Sequence, residues 1–223
     1  MAEELTLESV DEDGALAEAL STVSGTRAEL LRRVALGGAA LLAVTAAPAS
    51  AAPSRSKDIA ILNYALTLEY LQAAFYTEAL DLGSLHGALE EQARIVGAHE
   101  RGHVAALRKT LGGAAVKRPK FNFRGSTESP EAFRKTAVAF EDLAVAAYKG
   151  QAPNIQSKAY LMAAISIHSV EARHAAWIRR LAGSLPAAKP FDEPLSDTKV
   201  RRIVASTRFI VQTQRKMHPP FTG

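Results

Sequence analysis

The sequence has no cysteine among its 223 residues, and this absence excludes several kinds of site. The chain can form no disulfide bond, no thiolate metal site and no iron–sulfur cluster, and it offers no thiol for a lipid anchor. Any bound metal must therefore be held by carboxylate and imidazole groups. A convincing strand pattern is also missing, whereas a 48% hydrophobic content is enough for one globular core. These features predict an all-α protein.

Basic residues are absent from the first twenty positions, which contain seven acids and are expected to be disordered. Residues 1–51 hold three of the 27 basic and eight of the 23 acidic residues, which leaves 24 and 15 in the remainder, a net charge of +9. The basic residues of that remainder are scattered rather than interleaved with aromatics. We therefore interpret them as a solvated basic exterior, with contact to an anionic surface as the alternative.

An apolar stretch, Val34–Ala47, follows the acidic leader. Its 14 residues are fewer than the roughly 20 that a membrane-spanning helix needs. Arg32-Arg33 precedes it and the A-x-A sequence Ala49-Ser50-Ala51 follows it, which is typical of a signal peptide. The paired arginines resemble a twin-arginine export signal, although an acidic leader is unusual there. The alternative is a buried Ala/Gly-rich helix.

Several expectations follow from the export hypothesis. Cleavage near Ala51 would release the protein to the periplasm, the cell wall or the exterior, and an uncleaved signal would be its membrane contact. The twin-arginine export machinery would be a partner, and a metal could be loaded during folding in the cytoplasm. Because exported proteins rarely meet the chromosome, we expect no nucleic-acid partner.

Helical periodicity begins at Asp58 and defines the predicted domains. We divide the chain into a leader with signal (1–51), a linker (52–57), a four-helix bundle (58–183) and an extension with a fifth helix (184–223). The helices are expected from Ser56 or Asp58 to about Gly83, from His86 to Leu111, from Ser129 to about Gly150, from Pro153 to Gly183, and from Ser196 or Asp197 to about Lys216. The long crossover Ala114–Ser129 should pack its Phe121 and Phe123 over the bundle.

The bundle contains two E-x-x-H motifs, Glu100–His103 and Glu171–His174, that lie 71 residues apart. In a helix, residues three positions apart face the same side. Each motif is preceded by a further glutamate, Glu69 or Glu141, and these two are 72 residues apart. The near-equal spacing indicates an internal duplication of a helix pair that carries six potential metal ligands.

The four glutamates lie within the apolar faces of their helices. A buried carboxylate costs several kcal/mol unless it is paired or protonated. No lysine or arginine occupies these faces, whereas two divalent cations would neutralise four carboxylates, and two imidazoles would complete their coordination. Oxygen-rich ligation with two imidazoles suits iron or manganese, with zinc possible.

This pattern resembles the ferritin-like di-iron and di-manganese bundles, in a bacterial group often labelled ferritin-like or desiccation-related. The resemblance covers residues 58–183 and implies antiparallel helix pairs around two iron or manganese ions. It implies that Glu69 and Glu141 each bind one ion, that Glu100 and Glu171 bridge or chelate, and that His103 and His174 bind one ion each.

Four other polar side chains lie near these positions. Tyr76 and Tyr148 each follow a single glutamate by seven residues and could donate hydrogen bonds or electrons to the site, but core aromatics are the simpler interpretation. Gln72 lies one turn from Glu69 and could touch the site. His168 lies one turn before Glu171, where a hydrogen-bonded core histidine is the simpler interpretation.

His99-Glu100-Arg101-Gly102-His103 also matches the H-E-x-x-H motif of zinc proteases. In that interpretation, His99 and His103 bind zinc and Glu100 activates water. It leaves the second E-x-x-H motif unexplained, and His99 lies about 100° from Glu100 around the helix. We therefore treat the protease as a minor alternative.

Our leading functional hypothesis is an exported protein whose metal pair reacts with O₂ or peroxide, in iron(II) oxidation or peroxide removal during stress. The alternative is a non-catalytic metal-binding protein that protects the cell envelope. The sequence shows no surface for assembly into a cage, and it leaves oligomerisation open.

Overall fold

The computed structural model describes residues 52–211, and the predicted leader and signal lie outside that range, as do residues 212–223. The described chain forms five α-helices joined by loops and two 3₁₀ turns, at Gly112–Ala114 and Ala152–Asn154. The helices are α1 (Ala52–Asp81), α2 (Gly87–Leu111), α3 (Pro130–Gln151), α4 (Lys158–Leu181) and α5 (Asp197–Thr207). The predicted all-α class is confirmed.

The first four helices form two pairs that face each other. α1 packs along α2 and α3 along α4, and the pairs meet where α1 contacts α3 and α2 contacts α4. An aromatic cluster closes one part of the core, where Phe75 stacks on Phe133 with centroids 5.1 Å apart and meets Phe140 edge-on at 5.0 Å. Because both pairs contribute to this core, the inward faces of all four helices are shielded from solvent.

Two helix starts follow the predicted signals. Ser129 precedes Pro130 and accepts a hydrogen bond from the backbone N–H of Ala132, as expected for a cap followed by proline. α2 begins directly after His86. Both starts agree with the sequence.

The start of α1 differs from the prediction. The helix begins at Ala52, so the predicted linker 52–57 is helical up to the bundle. Asp58 is not its cap but is a buried residue whose carboxylate accepts hydrogen bonds from the backbone N–H groups of Gln156 and Ser157, each at 2.8 Å. Asp58 therefore stabilises the start of α4, where free N–H groups and the helix dipole favour an anion.

The start of α4 also differs from the prediction. Pro153 lies in a 3₁₀ turn, and the helix begins at Lys158 with Ser157 as its cap. The end of α3 at Gln151 agrees with the end predicted near Gly150. A Cβ on Gly150 would be 1.9 Å from the carbonyl oxygen of Leu195, so this glycine permits a close backbone approach.

The crossover between α2 and α3 packs over the bundle as predicted. Phe123 is buried, and its ring centroid lies 5.5 Å from those of Phe75 and Phe209. Phe121 is partly buried and packs against the core. This segment also pairs with the end of the described chain through an isolated antiparallel bridge between Phe121 and Ile210.

α5 is shorter than predicted, since it ends at Thr207 rather than near Lys216. Val200 and Val204 are buried as expected. Arg208 adopts a left-handed conformation with φ 56°, which turns the chain so that Phe209 is buried and Val211 donates its N–H to the carbonyl of Lys120. The residues after Thr207 therefore form hydrogen bonds with the crossover instead of continuing the helix.

Within residues 52–211, no helix is both long and apolar enough to cross a bilayer.

Candidate metal centre

The four predicted glutamates are among the most buried side chains of the described chain. Glu69 on α1 is 1% exposed, and Glu100 on α2, Glu141 on α3 and Glu171 on α4 are 0% exposed. Each helix places one carboxylate inward because the glutamate stands within its apolar face. Four buried carboxylates in one core would be strongly destabilising without compensating positive charge.

The two histidines complete two overlapping groups of side chains. Each group offers ligand atoms that all lie within 4.8 Å of one another. The groups share Glu100 and Glu171 and differ in the remaining members, which are Glu69 with His103 in one group and Glu141 with His174 in the other. The structure therefore brings all six predicted residues together.

The shared carboxylates each present one oxygen to each group. Glu100 Oε1 lies 3.1 Å from the Nδ1 of His174, and its Oε2 lies 3.6 Å from the Nδ1 of His103. Glu171 mirrors this arrangement, with Oε1 3.0 Å from His103 Nδ1 and Oε2 3.6 Å from His174 Nδ1. Carboxylates arranged in this way can bridge two cations.

The orientations of these atoms do not suit hydrogen bonds. Both oxygens of Glu100 and of Glu171, Oε2 of Glu141 and Nδ1 of His174 are buried without a hydrogen-bond partner. Two atoms bound at right angles to one cation at about 2.1 Å are about 3.0 Å apart, a separation that several of these pairs approach. Unpartnered lone pairs directed at common points fit cations, and this donor set of carboxylates and imidazoles fits iron, manganese or zinc.

Two tyrosines connect the helix pairs across the site. Tyr76 on α1 donates its hydroxyl hydrogen bond to Glu141 Oε1, and Tyr148 on α3 donates to Glu69 Oε1, each at 2.5 Å. The second oxygen of each carboxylate faces the cluster, at 3.4 Å from His174 Nδ1 for Glu141 and 3.3 Å from His103 Nδ1 for Glu69. Each tyrosine therefore orients a glutamate so that one oxygen points toward the cluster.

The electrostatics of the metal-free cluster show the same need for positive charge. Burial raises the pKa of Glu141 to about 7 and that of Glu100 well above its usual range. Burial also disfavours the charged imidazole of His174, but the surrounding carboxylates raise its pKa to about 11. The imidazoles lower the pKa of Glu171 to about 2 despite burial. Protons on the imidazoles thus supply the charge that cations would otherwise bring.

Comparison with known protein families agrees with this geometry. The profile of the ferritin-like domain matches residues 57–184, which is more than half of the chain. The chain belongs to the ferritin-like domain family. A search of curated proteins finds no match to it. The resemblance inferred from the paired motifs is confirmed at the level of the ferritin-like family, and the desiccation-related group stays a prediction.

One residue of this ferritin-like domain has a contact that the sequence did not indicate. His99 is exposed, and its Nδ1 lies 2.9 Å from the Nε2 of His174, with the rings stacked at 5.2 Å between centroids. A proton or a cation at Nδ1 of His174 leaves Nε2–H as the donor toward His99, so we assign His99 Nδ1 as the acceptor. The signal was present in the sequence, since His99 lies one turn before His103, but only the packing of α2 on α4 gives it a partner.

This contact bears on the zinc-protease interpretation. His103 and Glu100 belong to the candidate ligand groups, whereas His99 belongs to neither of the groups found within residues 52–211. Its Nδ1 faces His174 rather than a shared zinc position. The H-E-x-x-H motif is therefore better described as a ferritin-like E-x-x-H pair with an additional histidine, His99, that contacts His174.

The two other polar side chains singled out in the sequence, Gln72 and His168, each have a buried atom without a hydrogen-bond partner, so the hydrogen bond expected for His168 is not seen at its Nε2. Gln72 is 3% exposed, and its amide nitrogen is buried without a hydrogen-bond partner. The Nε2 of His168 is likewise buried without one. The structure brings neither residue into the two candidate ligand groups.

Proposed function

We propose that this ferritin-like protein binds two iron or manganese ions and acts on O₂ or peroxide, in iron(II) oxidation or peroxide removal. The observation that carries the proposal is the convergence of six side chains on two overlapping positions, four of them with buried ligand atoms that have no hydrogen-bond partner. Four carboxylates balance two divalent cations, and two neutral imidazoles complete a set that leaves room for a small ligand. Bound iron or manganese would supply the electrons for the reaction with O₂ or peroxide.

The protein's own residues have three roles in this proposal. Glu100 and Glu171 hold both ions, while Glu69 and His103 hold one and Glu141 and His174 the other. Tyr76 and Tyr148 fix the orientation of the single glutamates through their hydroxyl groups. The apolar helix faces around the cluster exclude bulk water, which strengthens the electrostatic attraction between carboxylates and cations.

Metal loading followed by turnover tests the proposal. Purified metal-free protein is loaded with iron(II) without oxygen, exposed to O₂, and followed by absorbance and metal analysis. A parallel sample loaded with manganese is mixed with hydrogen peroxide, and oxygen release is measured. We expect about two ions per chain and turnover with at least one metal.

Variants distinguish loss of a buried ligand from loss of an exposed carboxylate. Glu100→Ala and Glu171→Ala should lose both metal and turnover, whereas Glu91→Ala, an exposed glutamate on the same helix as Glu100, should keep both. Tight metal binding with no turnover under any condition would contradict the redox proposal and leave a structural metal. Absence of metal binding would contradict the metal centre itself.

We further propose that the protein is exported through a twin-arginine signal. The proposal is supported by Arg32-Arg33, the apolar stretch that follows them and the A-x-A sequence before residue 52. Replacement of both arginines by lysine should retain the protein inside the cell, as measured by cell fractionation. Unchanged export of that variant would contradict the twin-arginine route.

A further inference from the structure

A second cavity, distinct from the metal centre, lies where α1 meets the crossover and the end of α5. Its volume is about 800 Å³, within the range of small-molecule sites. Its lining combines apolar and positively charged side chains, and it belongs to no role proposed above.

Among residues 52–211, three arginines line this cavity and no acidic residue does. Arg124 comes from the crossover, Arg201 from α5 and Arg208 from the turn that ends α5. Guanidinium groups present paired N–H donors that match carboxylate or phosphate oxygens. Convergence of three such groups without a balancing acid in the lining indicates a site for an anion.

The surrounding structure holds the arginines in place without neutralising them. The guanidinium of Arg201 lies 4.9 Å from the centroid of the Tyr64 ring, a cation–π arrangement. Its contact with Asp197 is long, at 3.7 Å between Nε and Oδ2, and both side chains are about half exposed, so the pair is weak. Arg124 donates its Nε–H to the backbone carbonyl of Arg208 at 3.2 Å, which ties two sides of the cavity together.

Two of these arginines also have an unusual backbone. Arg124 and Arg208 have φ of 52° and 56°, the left-handed region that residues other than glycine rarely adopt. The strain is small for a single residue, but it occurs at two positions of the same cavity, where glycine would fit the backbone better. What arginine adds at these two positions is its guanidinium group, and that group is the reason to look for a ligand here.

The rest of the lining is mostly apolar, apart from the polar groups of Tyr64, Thr67 and Asn122. Leu68 and Val204 are each 7% exposed overall and belong to the bundle core, and Ile210 and Val211 follow the turn at Arg208. An inorganic anion would leave this apolar wall in contact with water. A ligand with an apolar portion next to its anionic group would cover it.

We propose that this cavity binds an anionic amphiphile, a small molecule with one carboxylate or phosphate group and a short alkyl or acyl chain. The arginines bind the anionic group, and the apolar wall of α1 and α5 contacts the chain. The proposal is independent of the metal centre, because no candidate metal ligand lines this cavity.

Calorimetric titration of the purified protein with decyl phosphate tests the proposal. Decanol, which has the same chain without the charge, and inorganic phosphate, which has the charge without the chain, are the matched probes. We expect saturable binding of decyl phosphate that is at least about tenfold tighter than that of either probe. Equal binding of decanol would overturn the role of the arginines, and equal binding of phosphate would overturn the role of the apolar wall.

Adjacent arginines on α5 provide the matched variants. Arg201→Ala should weaken binding of decyl phosphate about tenfold, whereas Arg202→Ala, which removes an exposed arginine that does not line the cavity, should not. Arg208→Gly removes a guanidinium while suiting the left-handed backbone, so it should weaken binding in a protein whose thermal stability is kept.

Other outcomes would overturn the proposal. Equal weakening by Arg202→Ala would show that only the net positive charge attracts the ligand. Binding to vesicles that contain phosphatidylglycerol without binding to decyl phosphate would indicate a membrane-surface contact instead of a cavity site. No binding of any probe would show that the cavity holds no such ligand.

Discussion

The two helix pairs carry the same potential ligands but differ in the residues around them. α1 and α2 supply Glu69, Tyr76, Glu100 and His103, and α3 and α4 supply Glu141, Tyr148, Glu171 and His174, in the same order. Each tyrosine donates a hydrogen bond to a glutamate of the other pair, and each histidine lies beside the E-x-x-H glutamate of the other pair. Each candidate ligand group therefore draws on both helix pairs, and neither pair contains a complete group by itself.

The difference between the pairs is clearest behind the histidines. His99, four residues before His103, reaches His174, whereas the corresponding residue before His174 is Val170, which cannot form a hydrogen bond. The side chain of His174 is 4% exposed and that of His103 is 13% exposed. The two helix pairs thus carry the same candidate ligands but differ in the hydrogen-bond support and the solvent access of their histidines.

The helix contacts also differ between the pairs. A Cβ on Gly97 of α2 would lie 2.9 Å from the Cβ of Tyr76, so α1 and α2 approach closely at this level. The residue 71 positions later on α4 is His168. The first pair thus has a close helix contact at the level where the second pair contains a large side chain.

The largest expected effect distinguishes shared from unshared ligands. Glu100→Ala or Glu171→Ala should remove both ions, because each carboxylate belongs to both ligand groups. Glu69→Ala and Glu141→Ala should each leave about one ion bound. The affinity at the affected position should fall by more than the roughly 100-fold caused by mutating a residue that only hydrogen-bonds to a ligand. Metal analysis after dialysis measures the ratio. Loss of both ions from Glu69→Ala would contradict the division into two groups.

The next effect concerns the unequal support of the histidines. His99→Ala should weaken the ion held by His174 by about 10- to 100-fold and leave the other nearly unchanged, because only His174 loses a hydrogen-bond acceptor. Val170→Ala is the matched control at the corresponding position and should alter neither affinity. Competition with a chelator measures both steps. Equal weakening of the two ions by His99→Ala would show that the contact is structural only.

The two tyrosines should behave alike. Tyr76→Phe and Tyr148→Phe each leave a buried carboxylate oxygen without its donor, so each should lower the unfolding free energy of the metal-free protein by about 1.5–3 kcal/mol. Urea denaturation measures both. A difference of more than about 1 kcal/mol between them would show that the pairs are not equivalent at this level.

The smallest effect tests the close helix contact. Gly97→Ala should destabilise the protein by about 1–3 kcal/mol, because the new methyl group meets the Cβ of Tyr76, which is fixed to the backbone. Gly102→Ala, on the same helix with no atom within 4 Å of an added Cβ, should instead stabilise it, by about 0.5–1 kcal/mol. Thermal or urea unfolding measures both changes. Stabilisation by both substitutions would contradict a close contact at Gly97.

Much of the architecture was predictable from sequence because local signals agreed with tertiary packing. Ser129 and Pro130 started a helix where expected, and the crossover placed Phe123 in the core. The errors occurred where a distant contact overrode a local signal. Asp58 looked like a cap for its own helix but binds the backbone just before α4. Helix α5 was expected to reach about Lys216 but ends at Thr207, after which Val211 bonds to Lys120 of the crossover.

The sequence alone determined which residues could bind metal, because helical periodicity and a repeat of 71 or 72 residues place four glutamates and two histidines on inward faces. Tertiary structure decided how they are shared, since only the packing of one helix pair against the other places Glu100 and Glu171 each beside both histidines. It also decided that His99 supports one histidine and that three arginines from distant segments line one cavity. Periodicity within a helix fixes directions around one axis, whereas contacts between helices depend on how separate axes are placed.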